Sequence, residues 1–119
     1  MESFPVDFAQ ARPREDGSMF SIERKRNALV IRLTGELDHS SAGRVRRELD
    51  AMIADTGVRR LVFDLNELRF MDSSGIGLII GRYKLMSRRG GSVAVSGSNP
   101  RIDRIFDMAG LYQLVERLA

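Results

Sequence analysis

Phe70-Met71-Asp72-Ser73-Ser74-Gly75-Ile76-Gly77 sets two hydroxyls and two glycines immediately before an apolar stripe. Ile76, Ile79, Ile80, Tyr83 and Met86 then recur at helical spacing, which predicts a helix beginning near Ser74. At such a start the first backbone N–H groups lack helical partners, and together with the helix dipole they favour an anion. A phosphate carried by a serine suits that place. A serine that does no more than cap the helix is the other reading of the same residues.

Working outward, Leu61-Val62-Phe63-Asp64-Leu65 is an apolar run of strand length, suited to a central strand covered on both faces, with an exit loop leading to Asp72. Downstream, the helix should run to about Arg89 and stop at Gly90-Gly91, with Val93-Ala94-Val95 as the next strand. Asn99-Pro100 pairs an asparagine cap with proline at the first helical position and opens another helix. Its inward stripe is Ile102, Ile105, Phe106 and Ala109, its stop is Gly110, and Tyr112 to Val115 form a last edge strand.

Upstream, Phe20 and Ile22 alternate with polar residues, Arg26-Asn27 reads as a turn, and Leu29, Ile31 and Leu33 alternate again, as in a β-hairpin. A turn at Gly35-Glu36-Leu37-Asp38 follows. Ser40 or Ser41 then caps a helix bearing Ala42, Val45, Leu49, Met52 and Ile53 on one face, ended by Gly57. The order β-β-α-β-α-β-α-β predicts an α/β domain over residues 19–119 with a mixed sheet of about five strands packed against helices. Residues 1–18, with Pro5 and Pro13 and no sustained period, read as a flexible N-terminal arm.

A chain of 119 residues is the size of one domain. No apolar run approaches the roughly 18 residues of a membrane span, and the N-terminus lacks the basic start and apolar core of a secretory signal. Cysteine is absent, which excludes disulfides and thiolate chemistry and fits a reducing compartment, so a cytoplasmic protein is expected. The net charge of +3 invites a nucleic-acid partner. The basic residues are scattered, however, in groups such as Arg44 with Arg46-Arg47 and Arg88-Arg89, and tryptophan is lacking, so solvated surface is the expectation and no direct nucleic-acid contact.

Serine hydrolysis needs a base, and His39 is the one histidine; neither Ser73 nor Ser74 sits in a G-x-S-x-G pattern. Gly75, Gly77 and Gly81 miss the dinucleotide fingerprint by one residue, and no P-loop lysine follows. No metal spacing is present among Asp64, Glu67, Asp72 and Asp107. No catalytic residue, cofactor or metal is therefore expected, and the protein reads as no enzyme. One further cluster stands out, Gly35-Glu36-Leu37-Asp38-His39-Ser40-Ser41, because loops leaving neighbouring parallel strands share one end of a sheet. A capping role is the plainer reading of Asp38.

Gly35-Glu36-Leu37-Asp38-His39, the Phe70–Gly77 stretch, Gly81-Arg82-Tyr83-Lys84 and Phe106-Asp107-Met108-Ala109-Gly110-Leu111 resemble, in this order, the anti-sigma factor antagonists built on the STAS fold, particularly the sporulation type. The resemblance covers about Phe20 to Leu118. It implies a switch: the unphosphorylated antagonist binds an anti-sigma factor that is also a serine kinase, frees the sigma factor, is phosphorylated and released, and is reset by a PP2C-type phosphatase. It implies Ser73 as phosphoacceptor, with Asp72 and Ser74 beside it. Asp38, Gly77 and Arg82 match positions linked to the partner, so that Asp38, His39, Asp72, Ser74, Gly75, Gly77 and Arg82 form the expected partner-binding set. Ala109 departs from a common serine. The family's usual C-terminal helix has no counterpart before Ala119, and Phe4, Val6 and Phe8 of the arm are available to cover sheet surface in its place. The competing expectations are a STAS docking subunit of a membrane transport or lipid-trafficking assembly, which has no need of an Asp-Ser-Ser-Gly site, and a small nucleotide-binding regulator.

Overall fold

Arg26 and Asn27 reverse the chain between two strands whose alternating apolar residues face the same core, and everything after them builds outward from that hairpin. The computed structural model describes Arg12–Pro13 and residues 19–118. Its elements are β1 (Arg12–Pro13), β2 (Met19–Lys25), β3 (Ala28–Leu37), α1 (His39–Ile53), β4 (Arg60–Met71), α2 (Ser73–Arg88), β5 (Ser92–Ser96), α3 (Pro100–Met108) and β6 (Glu116–Leu118). The strands lie in chain order, β1 to β3 antiparallel and β3 to β6 parallel. The expected order and five-strand mixed sheet are present, and the two-residue β1 adds an edge pairing of Arg12 with Phe20 and Pro13 with Met19. The remainder of the expected arm, with Phe4, Val6 and Phe8, lies outside the described residues, as does Ala119.

Register explains the core. Leu29 lies beside Leu61 and Ile31 beside Phe63, while Val93 and Val95 continue the same rows on β5. All six are buried, together with Val45 and Leu49 of α1, Ile79 and Met86 of α2, and Ile102 and Phe106 of α3. Each such side chain contributes about 1.5–3 kcal/mol relative to exposure. The opposite side of β4 is less covered than a doubly buried strand requires: Val62 and Asp64 are only half-buried, and Asp64 accepts a hydrogen bond from Arg32 Nε at 2.8 Å. The apolar run thus conceals an ordinary alternation, with the second face partly wet.

Both central strands are longer than their apolar runs. The expected turn at Gly35–Asp38 is strand through Leu37, and the expected exit loop after Leu65 is strand through Met71. The reason is a pair of register shifts: Arg32 and Thr34 face Asp64 and Glu67, then Gly35 and Glu36 face Leu68 and Phe70. β4 thereby takes one more residue than β3 at each step, and its burial changes from every second residue to Leu65, Leu68 and Met71. Asp64 holds the first shift by accepting from Asn66 N–H at 3.1 Å and Asn66 Nδ2 at 2.7 Å. Gly35, with φ of 77°, stands at the second.

Other differences are local. α1 ends at Ile53, and Gly57 lies in the turn beyond, where its N–H donates to Asp55 Oδ1. On α2 the buried positions are Gly75, Leu78, Ile79, Arg82 and Met86, while Ile76, Ile80 and Tyr83 pack only partly against the core. Ile105 is half-buried and Ala109 exposed on α3. Tyr112 to Val115 is no strand: Leu111–Gln113 forms a 3-10 turn, and the Val115 N–H still donates to the Leu111 carbonyl. Burying Leu111 and Val115 together keeps the chain coiled until Glu116 reaches Ala94 on β5.

Candidate functional site

The two shifts leave Leu37 of β3 level with Met71 of β4, so that Asp38 and Asp72 emerge side by side at the carboxyl ends of parallel neighbours. The Asp72 N–H donates to the Leu37 carbonyl at 3.2 Å and ties the two exits together. Each aspartate is extended and half-buried, and each caps the helix that follows. Asp38 Oδ1 accepts from the Ser41 N–H at 3.0 Å while Ser41 Oγ accepts from the Asp38 N–H at 2.9 Å, a reciprocal capping box that buries Ser41. Asp72 Oδ1 accepts from the Ser74 N–H at 2.8 Å.

No serine is the N-cap: Ser40 and Ser41 are already helical, Ser41 serving only as the returning half of the Asp38 box, and Ser73 and Ser74 are helical too. A carboxylate on extended backbone immediately before each helix reaches the free N–H groups first. At the first position of α2, Ser73 is exposed and its hydroxyl makes no hydrogen bond among the described residues. His39 holds the corresponding exposed position on α1.

Gly75 and Gly77 have different reasons to be glycine. A Cβ on Gly75 would stand 2.4 Å from Met71 Cγ and 3.0 Å from Leu37 Cδ2, so its absence lets α2 settle onto both strand ends. Gly77 is exposed, with nothing within 4 Å of a Cβ, and leaves the helix surface bare. Phe70, second from the end of β4, is 41% exposed, a large apolar side chain open to solvent three residues before Ser73.

Arg82 is placed apart from Ser73, nine residues along α2 and thus roughly 13 Å along the helix axis. It is only 9% exposed, and its Nε lies 3.2 Å from Asp50 Oδ1 of α1 in an ion pair without hydrogen-bond geometry. Burial lowers its pKa below the usual arginine value; Asp50 opposes the shift and Arg46 adds to it. Arginine stays charged at neutral pH regardless. Between α1 and α2 runs a groove of about 640 Å³, bounded by Arg44, Arg46 and Arg47 on one side and by Ser74, Gly77 and Arg82 on the other. The sequence shows the Arg44–Arg47 group but not its facing Arg82, because the apolar period of α2 leaves no sign that a cation turns inward.

No three His, Cys, Asp or Glu side chains among the described residues form a metal-binding group, and no helix among them is long and apolar enough to cross a membrane. What the site offers chemically is an exposed hydroxyl, without a hydrogen bond among the described residues, at a helix start capped by Asp72 and level with the Asp38 cap of the neighbouring helix.

Comparison with known proteins places these features in context. The STAS domain family matches residues 19–119. The anti-sigma F factor antagonist of Paenibacillus polymyxa is 44% identical over 94 residues, covering 79% of this chain and 80% of that protein. The structure of the Bacillus cell fate determinant SpoIIAA in its phosphorylated form superposes with a TM-score of 0.71 at 31% identity, covering 84% of this chain and 91% of that one. The unphosphorylated SpoIIAA structure gives a TM-score of 0.72 at 29% identity over 84% and 87% of the two chains.

Proposed function

The chain belongs to the STAS domain family, and from that membership we propose that it is an anti-sigma factor antagonist whose binding is switched by phosphorylation of Ser73. In its unphosphorylated form it binds an anti-sigma factor that is also a serine kinase and so frees the sigma factor; phosphate on Ser73 ends the complex, and a PP2C-type phosphatase restores it. The protein is a substrate of enzymes and carries no catalysis of its own. It works in the cytoplasm and touches neither nucleic acid nor membrane directly.

One observation supports this most strongly: with Asp72 as the cap, the Ser73 hydroxyl is exposed and makes no hydrogen bond among the described residues. A kinase can reach it without unwinding α2. Asp38, His39, Asp72, Ser74 and Gly77 form the partner surface with it, Gly75 lying buried beneath, and exposed Phe70 is an apolar anchor that desolvates on contact. Arg82 contributes differently, by holding α1 against α2 through Asp50. Phosphate adds roughly −1.5 to −2 charges beside Asp72. The free N–H groups of the helix start tolerate that charge, so the protein does not refold and the mismatch falls on the partner.

The test is incubation with the cognate anti-sigma kinase and ATP, followed by intact-mass measurement and peptide mapping. A single phosphate on Ser73 is expected. Its appearance on Ser74, or no labelling by a kinase active on another antagonist, would overturn the reading.

A further inference from the structure

Three basic groups that stand far apart in the sequence meet at one end of the fold. Arg24-Lys25-Arg26 runs into the turn between β2 and β3, Arg59-Arg60 opens β4, and Arg88-Arg89 ends α2 just before β5. Ala28, Arg60 and Ser92 are level in the sheet, so all three groups gather at the amino ends of the parallel strands, the whole length of β4 away from Ser73. Hydrogen bonds fix these segments to one another. The Arg59 N–H donates to the Asn27 carbonyl and Arg59 Nη1 to the Arg89 carbonyl, each at 2.7 Å, while Arg89 Nη1 donates to the Ile53 carbonyl at 3.0 Å. Asp55 pairs with Arg24 and Glu116 with Arg60, but Lys25, Arg26 and Arg88 have no ion pair among the described residues.

Arg26 adds a second, independent sign. Among the described residues it is the non-glycine residue at positive φ, 59°, and as the first of two turn residues it stands where a hairpin favours glycine. Its side chain is exposed and supports nothing in the fold that would repay the backbone cost, while its carbonyl accepts from Arg24 Nε at 2.8 Å. A cation held where the backbone disfavours any side chain points to a use for that cation.

We propose that this basic end docks an acidic segment of a second protein while the Ser73 end stays free for its own partner. Guanidinium forks match carboxylates, and segments already fixed to one another present their charges at little further cost in order. The pattern of charge selects a protein over other polyanions. Asp55 and Glu116 lie exposed among the cations, and a phosphate backbone or an anionic bilayer, with its charge spread evenly, meets them as repulsion. A protein segment can set carboxylates against Arg26 and Arg88 and leave neutral groups opposite Asp55 and Glu116. Nucleic acid also gains no stacking here, since the exposed aromatic ring of the described residues, Phe70, lies at the far end of β4. Because the two ends are separate, the docking does not depend on phosphorylation of Ser73.

The test uses the whole chain without kinase or anti-sigma partner, so its outcome is separate from that of the phosphorylation experiment. A fluorescent oligoglutamate peptide is titrated by anisotropy, and backbone amides are followed by NMR. Saturable one-to-one binding is expected, with shifts gathered in residues 24–27, 58–60 and 88–91. Arg26→Gly with Arg88→Gln should weaken it by about tenfold. Arg101→Gln with Arg104→Gln removes the same charge from the exposed side of α3 and should bind as wild type does. Arg26→Gly alone relieves the turn, so it should unfold at no lower denaturant concentration yet bind more weakly, which separates loss of contact from loss of fold. Equal losses in the two double variants, unaltered affinity in the first, or shifts gathered elsewhere would overturn the proposal. Tighter binding of duplex DNA or of phosphatidylserine vesicles than of the peptide would also overturn it and assign the basic end to nucleic acid or to lipid.

Discussion

A serine in the first turn of a helix ordinarily caps it, and at Ser73 the preceding aspartate has removed that duty. Three expectations belong to this pair of serines. Ser73→Ala should keep its affinity for the anti-sigma partner yet resist labelling, whereas Ser73→Asp should bind about tenfold more weakly, a loss of about 1.4 kcal/mol. Ser74→Ala should be labelled at the wild-type rate, since the Asp72 cap needs only the Ser74 backbone; pull-down affinities and phosphorylation time courses check all three. Gly75 is the residue on which the geometry rests. Adding one methyl in Gly75→Ala drives it into Met71 and Leu37 and should cost about 1–3 kcal/mol in denaturant unfolding. Gly77→Ala meets open space, so beyond the modest gain of alanine in a helix its stability should be unaffected.

At the scale of elements, the shifted pairing of β3 and β4 is what brings two helix starts together, and Asp64 is its polar pin. Burial alone would raise the pKa of Asp64, but hydrogen bonds from Arg32 and Asn66 outweigh it and hold the carboxyl below 3.8. A depressed folded-state pKa gives stability that is fully present above the unfolded value and fades as pH falls through the folded one. Asp64→Asn should therefore destabilise the protein by about 1–3 kcal/mol at neutral pH. The gap to wild type should close on acidification below 3.8. Chemical denaturation at pH 7 and pH 3 measures it, and an equal gap at both would remove the ionised carboxylate from the account.

At the scale of the molecule, a sheet with parallel strands β3 to β6 gathers the candidate site at the strands' carboxyl ends, and the proposed function assigns the chemistry to a partner. Incubated alone with ATP, the chain should show neither phosphate release nor self-labelling; stoichiometric labelling in a kinase-free preparation would make it an enzyme. Much of this was legible in residues. Asn99-Pro100 starts α3 as its chemistry dictates, Gly90 and Gly110 end helices at positive φ, and the apolar periods of β2, β3 and α1 named their buried faces. The Asp-Ser-Ser-Gly stretch and the Asp38 cluster pointed to one end of the sheet because such signals are local: a cap, a stop and a period each act within a few residues. What tertiary structure alone decided were the extra residues of β4, the choice of Asp72 over the serines as cap, the coil of Leu111–Val115 and the inward turn of Arg82 toward Asp50. Each depends on a neighbour distant in sequence, whose position is fixed only when the strands and helices pack.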